Sequence, residues 1–232
     1  MASGNIMLIT GVSSGFGRAL AQAALAAGHT VVGTVRSEAA KRAFEALSPH
    51  AAIGRVLDVT DFARIDGAVA MMKAVVPFMR KRGRGRILNI TSMGGHITMP
   101  GIAYYCGSKF ALEGISETLG KELEPFGIAV TAVAPGSFRT DWAGRSMTRT
   151  PRSISDYDAL FDPIRQAREA KSGRQPGDPA KAARAMLAVI EADHPPAHLL
   201  LGSDALRLVR AKWSALEEEI RTWEAVTVST DG

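Results

Sequence analysis

The sequence predicts an α/β fold in which a doubly wound parallel sheet carries helices on both faces. Short apolar runs alternate with helical stretches along most of the chain, the pattern of repeated βαβ units. A glycine-rich turn joins the first apolar run to the first helix. The composition, 46% hydrophobic, 22% charged and only 6% aromatic, leaves a core built mostly of Ala, Val, Leu, Ile and Met, which suits helices packed closely on a parallel sheet. A chain of 232 residues matches one such domain, so residues 1–232 are read as a single unit.

The elements follow in order. Residues 6–10 form the first strand, and residues 18–27 a helix closed by Gly28. Residues 31–35 are rich in β-branched side chains and read as the second strand. A helix over 38–47 and a third strand over 53–58 come next. Residues 61–81 read as one helical stretch with a kink at Pro77. A strand over 86–90, a long helix over 103–123 and a strand over 128–133 follow. Residues 141–177 are polar, yet contain Trp142, Met147, Tyr157 and Phe161, and read as a substrate-binding loop with short helices. A helix over 179–191, a short strand over 198–201 and an amphipathic helix over 205–224 complete the chain.

The totals exclude several functions. The single cysteine, Cys106, rules out an internal disulfide and fits a reducing cytoplasm. No signal peptide or membrane span is visible, and no His-Glu-x-x-His or paired-Cys spacing offers a metal site. The net charge of +5 is scattered except at Arg80, Lys81, Arg82, Arg84 and Arg86. That cluster reads as a solvated helix end, where cations complement the dipole, and no nucleic-acid module accompanies it.

Chemistry concentrates in two places. The turn Thr10-Gly11-Val12-Ser13-Ser14-Gly15-Phe16-Gly17 lies between the first strand and the first helix. Glycines there admit a pyrophosphate close to the backbone, and the helix supplies free N–H groups and a positive dipole end. After the second strand stands Arg36, where an NAD site usually places an acid. A guanidinium binds a 2′-phosphate in bidentate fashion, so NADP(H) is the expected cofactor. Tyr105 and Lys109 lie one helical turn apart, and a nearby ammonium lowers a phenol pKa from about 10. Ser92, at the end of the preceding strand, is placed to hold a substrate oxygen.

Taken together, the Thr-Gly-x-x-x-Gly-x-Gly turn, Asp58-Val59, Ser92, Tyr105-x-x-x-Lys109 and Pro135-Gly136-x-x-x-Thr140 resemble the short-chain dehydrogenase/reductase family. The resemblance runs in order from residue 6 to about residue 140, with the serine 13 residues before the tyrosine. It implies a Rossmann-like fold binding a dinucleotide through Gly11, Ser13, Ser14, Gly15, Phe16, Gly17 and Arg36. It further implies that Asp58 and Val59 contact the adenine, and that Pro135, Gly136 and Thr140 meet the nicotinamide carboxamide. Tyr105 would be the general acid/base, Ser92 would polarise the carbonyl, and Lys109 would also hold the nicotinamide ribose. The implied reaction is hydride transfer between NADP(H) and a small-molecule alcohol or carbonyl.

One segment of that pattern is missing. The family carries a fourth strand ending in Asn-Asn-Ala-Gly, then a long helix containing a catalytic asparagine. Here the only asparagines are Asn5 and Asn89, both on other strands. Only 34 positions separate Asp58 from Ser92, and one further βα unit needs roughly 45 more. With the missing strand counted as the fourth, two outcomes are open. The fifth strand pairs directly with the first, giving the order 3-2-1-5-6-7, or a gap opens and leaves backbone groups unpaired; closure is favoured because unpaired groups are costly. Closure would move Ser92 and Tyr105 about one strand spacing, near 4.8 Å, and the catalytic asparagine is absent, so two functions stand: an oxidoreductase impaired by the deletion, and a catalytically inactive dinucleotide-binding protein. A homo-oligomer is weakened by the half-missing contact helix. Cys106 reads as a small buried hydrophobe and His96 as a solvent-facing loop residue. The stripe Leu206, Val209, Trp213, Leu216 and Ile220 on the last helix reads as core packing or a subunit contact.

Overall fold

The computed structural model describes residues 5–57, 64–140 and 153–231, with side chains of 64–68 excepted. The expected alternation is present. β1 (Ile6–Ile9), α1 (Gly15–Ala26), β2 (Thr30–Val35), α2 (Glu38–Glu45) and β3 (Ala52–Val56) form the first half. α3 (Arg64–Arg82), with Pro77 inside it, leads to β4 (Gly85–Ile90), α4 (Ala103–Leu123) and β5 (Ile128–Pro135). The remainder is α5 (Asp158–Lys171), α6 (Pro179–Glu191), β6 (His198–Leu201) and α7 (Ser203–Val228). Within the polar region expected to hold only short helices, α5 is a 14-residue helix.

All strand pairs are parallel, but they fall into two sheets, ordered β1-β2-β3 and β4-β5-β6. The register sets Met7 beside Val31 and Val31 beside Ala52 in one, and Ile87 beside Val130 and Val133 beside Leu199 in the other. The expected closure into the order 3-2-1-5-6-7 is therefore corrected: among the described residues β1 pairs with β2 only, and β4 with β5 only.

Helix packing supplies the physical reason. α1 packs on α6, and one core runs beneath both. It joins Met7, Ile9, Leu20, Ala24 and Val31 from the first half to Val133, Ala183, Met186 and Leu201 from the second. Helices pack about 8–10 Å apart, close to two strand spacings of about 4.8 Å. Bringing β4 onto β1 would force α6 across α1 and empty that core. Edge backbone groups that remain open to water are cheaper than a lost core.

The opposite face differs. α3 and α4 cover β4 and β5 through Met72, Ile87, Leu123, Ile128 and Val130. β1 receives no such cover among the described residues: Ile6 is 70% exposed and Leu8 45%. Alternation along β1 places Met7 and Ile9 in the core and these two outside it.

Candidate active site

The glycine-rich turn is shaped by positions that only glycine fills. Gly11 has φ +72° and Gly15 φ +57°, both left-handed. A Cβ on Gly17 would sit 2.3 Å from the Gly11 carbonyl oxygen, so α1 can approach the strand end only through a glycine. Two bonds from β2 hold the turn: Gly11 N–H donates to Thr34 Oγ1 at 3.0 Å and Val12 N–H to the Thr34 carbonyl at 3.0 Å. Ser14 is the N-cap of α1, yet its side chain accepts no capping bond. Ser13 and Ser14 are exposed, so the N-terminal end of α1, the positive end of its dipole, faces solvent. The cradle fits a pyrophosphate.

The exit of β5 closes on this turn. Phe16 meets Phe138 edge to face at 5.1 Å, and a Cβ on Gly15 would lie 3.9 Å from Thr140. Phe16 therefore acts by packing the two loops together. Gly136 N–H donates to the Leu201 carbonyl at 2.8 Å, fixing the end of β5 beside β6, while Pro135 pairs with Leu201 in the ladder. Ser137 N–H donates to Asp204 Oδ2 at 2.8 Å, and a Cβ on Gly136 would overlap the same carboxylate. Asp204, from the first turn of α7, is a positioning residue that sequence reasoning missed. Its signal was an acid in the first turn after Gly202, 67 residues from the loop it holds.

Arg36 follows β2 directly and is exposed. Ser37 caps α2, its hydroxyl accepting from Ala40 N–H at 3.2 Å. A guanidinium and a helix N-terminus thus adjoin at the end of β2. Asp58 and Val59, expected at the adenine, lie outside the described residues, as do Trp142 and Met147.

Ser92, Tyr105 and Lys109 converge around the end of β4. Ser92 is buried, and its hydroxyl accepts from Gly94 N–H at 3.0 Å to cap the 3-10 turn Met93–Gly95. A Cβ on Gly94 would stand 3.1 Å from Tyr105 Cε1 and 3.5 Å from Ser92 Oγ, so both side chains border one small space. Lys109 Nζ lies 5.9 Å from the Tyr105 ring centre and donates to the Ile90 carbonyl at 2.9 Å. That carbonyl has a telling position. Thr91 N–H donates to the Val133 carbonyl of β5, so the Ile90 carbonyl on the same peptide points away from β5. It belongs to the open edge of β4, and Lys109 satisfies it.

Asn89 does not reach the site. Its Nδ2 donates to Ser116 Oγ at 2.9 Å and meets Met72 Sδ at 3.2 Å, tying β4 to α4 and α3. Cys106 is buried, as expected.

His96 departs from expectation: its side chain is 11% exposed and faces Glu113. Glu113, 8% exposed and one turn beyond Lys109, pairs with His198 Nδ1 at 3.0 Å and with His96 Nε2 at 3.3 Å, the latter off the hydrogen-bonding direction. All three ligand-capable groups lie within 4.8 Å of one another, a meeting of residues far apart in sequence that spacing rules could not find. Burial alone would push the Glu113 carboxyl up. The facing His96 imidazole, with the Thr91 hydroxyl and the His198 hydrogen bond, outweighs it and holds the carboxyl below the ordinary value. This clamp joins the loop after Ser92 to the helix that carries Tyr105 and Lys109.

The chain is similar to known proteins in sequence and in fold. The family model for short chain dehydrogenases matches residues 5–70 and 63–150, so residues 63 to 70 are matched twice. Oxidoreductase BOA17 from Botryotinia fuckeliana is 30% identical over 271 aligned positions, covering 97% of this chain and 98% of its own. A 3-ketodihydrosphingosine reductase from Bacteroides thetaiotaomicron is 32% identical over 237 positions, covering 85% of this chain and 87% of its own. A crystal structure of a short-chain dehydrogenase from Streptomyces avermitilis superposes with a TM-score of 0.88 at 34% identity, over 99% of this chain and 100% of that one. Two structures alike in fold at 19% identity, one from Burkholderia phymatum in complex with NAD and one named ElxO with NADP bound, have TM-scores of 0.76 and 0.68. Motif order, glycine geometry and the Ser92–Tyr105–Lys109 convergence thus agree with sequence and structural kinship, and this chain belongs to the short chain dehydrogenase family.

Proposed function

We propose that this chain is an NADP(H)-dependent oxidoreductase that interconverts a small-molecule alcohol and a carbonyl, with turnover impaired by an internal deletion. The observation that carries the reading is the convergence of Ser92, Tyr105 and Lys109 around the end of β4. Gly11, Ser13, Ser14, Gly15 and Gly17 would hold the pyrophosphate, and Asp58 and Val59 the adenine. Arg36, helped by the adjoining α2 N-terminus, would hold the 2′-phosphate. Pro135, Gly136 and Thr140 would border the nicotinamide. When bound, the cofactor supplies or takes the hydride. Ser92 then holds the substrate oxygen, and Tyr105 gives it a proton during reduction, with Lys109 favouring the phenolate left behind.

The impairment rests on two supports. A family match that falls into two pieces meeting at residues 63 to 70 supports a junction at that point. In addition, the ammonium of Lys109 gives one of its three donors to the open-edge carbonyl of Ile90. The same engagement favours a second reading, a dinucleotide-binding protein without turnover.

NADPH oxidation, followed with a panel of aldehydes and ketones, separates the two. Slow reduction that Tyr105→Phe abolishes is the expected result. Reduction that persists in Tyr105→Phe overturns the assignment of Tyr105, and NADPH binding without any turnover supports the second reading.

A further inference from the structure

α7 leaves the body of the protein after its third turn, where Trp213 stands edge to face against His96 with ring centres 6.0 Å apart. Ala205 and Val209 are buried, but every residue from 210 to 231 is exposed. At 1.5 Å per residue, the exposed helix through Val228 is about 28 Å long. A lone helix of this length is marginal in water, and most helical stability comes from packing an apolar face.

Such a face exists. Leu206, Val209, Trp213, Leu216, Ile220, Trp223 and Thr227 recur at alternating intervals of three and four, the seam of a coiled coil. Trp213, Leu216, Ile220 and Trp223 are 52%, 41%, 59% and 60% exposed. Contiguous apolar surface of this kind marks an interaction site.

Charge along the helix selects the occupant. The first half carries Arg207, Arg210 and Lys212, while the second carries Glu217, Glu218, Glu219 and Glu224. Asp204 is bonded to Ser137 N–H, and Arg221 pairs with Glu218 within the helix. A helix basic at one end and acidic at the other complements its own copy turned end for end. Arg210 and Lys212 flank the seam at the positions that Glu217 and Glu219 occupy one heptad later.

We propose that α7 pairs antiparallel with α7 of a second copy of this chain, forming a two-fold symmetric dimer. With Trp213 against Leu216 of the second copy, Arg210 lies beside Glu217 of the second copy and Lys212 beside Glu219 of the second copy. Symmetry repeats both pairs. A parallel pairing also sets Lys212 beside Glu217 but brings Glu219 against Glu224 and leaves Arg210 unmatched. The inference does not rest on the proposed reaction, although Trp213 in the paired segment also touches His96 of the Glu113 clamp.

Sedimentation equilibrium of the full chain tests it. The expected result is a dimer with a Kd below about 10 μM. Ile220→Asp should give a monomer that keeps the far-ultraviolet spectrum and thermal transition of the body. Arg210→Glu with Lys212→Glu should weaken the dimer about tenfold or more, and adding Glu217→Lys with Glu219→Lys should restore it. For orientation, Lys212→Cys mixed with Glu219→Cys should give a covalent dimer on mild oxidation, whereas Lys212→Cys mixed with Glu217→Cys should not. A wild-type monomer throughout this range, as expected if α7 instead serves another protein or a lipid surface, overturns the proposal. Cross-linking of the second mixture alone overturns the antiparallel arrangement.

Discussion

The two faces of the divided sheet use similar residues, yet only one face crosses the break. On the α1 and α6 side, Met7, Ile9 and Val31 share a core with Val133, Met186 and Leu201. On the α3 and α4 side, the core around Met72, Ile87 and Val130 stops at β4, and Ile6 and Leu8 of β1 are exposed. Helix packing thus holds two sheets in register where strand pairing does not. The same division runs through function. The pyrophosphate turn is tied to the continuous face by Val12 and by Phe16 on Phe138, while Lys109 donates to the open edge of β4.

Breaking the continuous face should have the largest effect. Met186 is 1% exposed, and Met186→Ala should cost about 2–5 kcal/mol in denaturant unfolding. If that loss is smaller than the loss from Met72→Ala in the other core, the two halves are not held mainly by α1 and α6. Next in size is Gly17→Val. A side chain within 2.3 Å of the Gly11 carbonyl forces the turn apart, costing about 1–3 kcal/mol and abolishing dinucleotide binding. Unchanged affinity would show that the turn is not the cradle.

Arg36→Ala should lower NADPH affinity about tenfold and leave NADH unchanged, one tenfold step being about 1.4 kcal/mol. Equal losses for both nucleotides would remove Arg36 from phosphate recognition.

Glu113 sharpens the comparison through pH. Its carboxyl is held below the ordinary carboxylate value, so its contribution is fully present above that value and is lost as pH falls through the lower folded value. The acid limb of stability should therefore be shallower in Glu113→Gln than in the wild type. An identical limb would show that the clamp with His96 and His198 does not stabilise the charged form. The smallest effect belongs to the uncovered face. Leu8→Thr should change stability by less than about 0.5 kcal/mol, because the side chain is already half in water.

Much of this was legible in the sequence because it is local. Strand and helix alternation, the glycine turn and the Tyr105–Lys109 spacing each lie within a few residues, and each survives in the fold. The split in the sheet was not legible. Pairing cost alone argued for closure, and the opposing term, α1 against α6, joins residues more than 150 positions apart. Asp204 beneath Ser137 and His96 on Glu113 were missed for the same reason. The stripe on α7 was visible, but its periodicity could not show that the buried part of the helix ends at Val209.

The central claim is that the nucleotide half of the site survives the break, and calorimetric titration of the wild-type chain with NADPH and with NADH tests it directly. Saturable binding of NADPH, about tenfold tighter than NADH, is the predicted result. Heat of neither nucleotide above dilution would contradict it, and would mean that the open edge between β1 and β4 has cost the cradle its ligand.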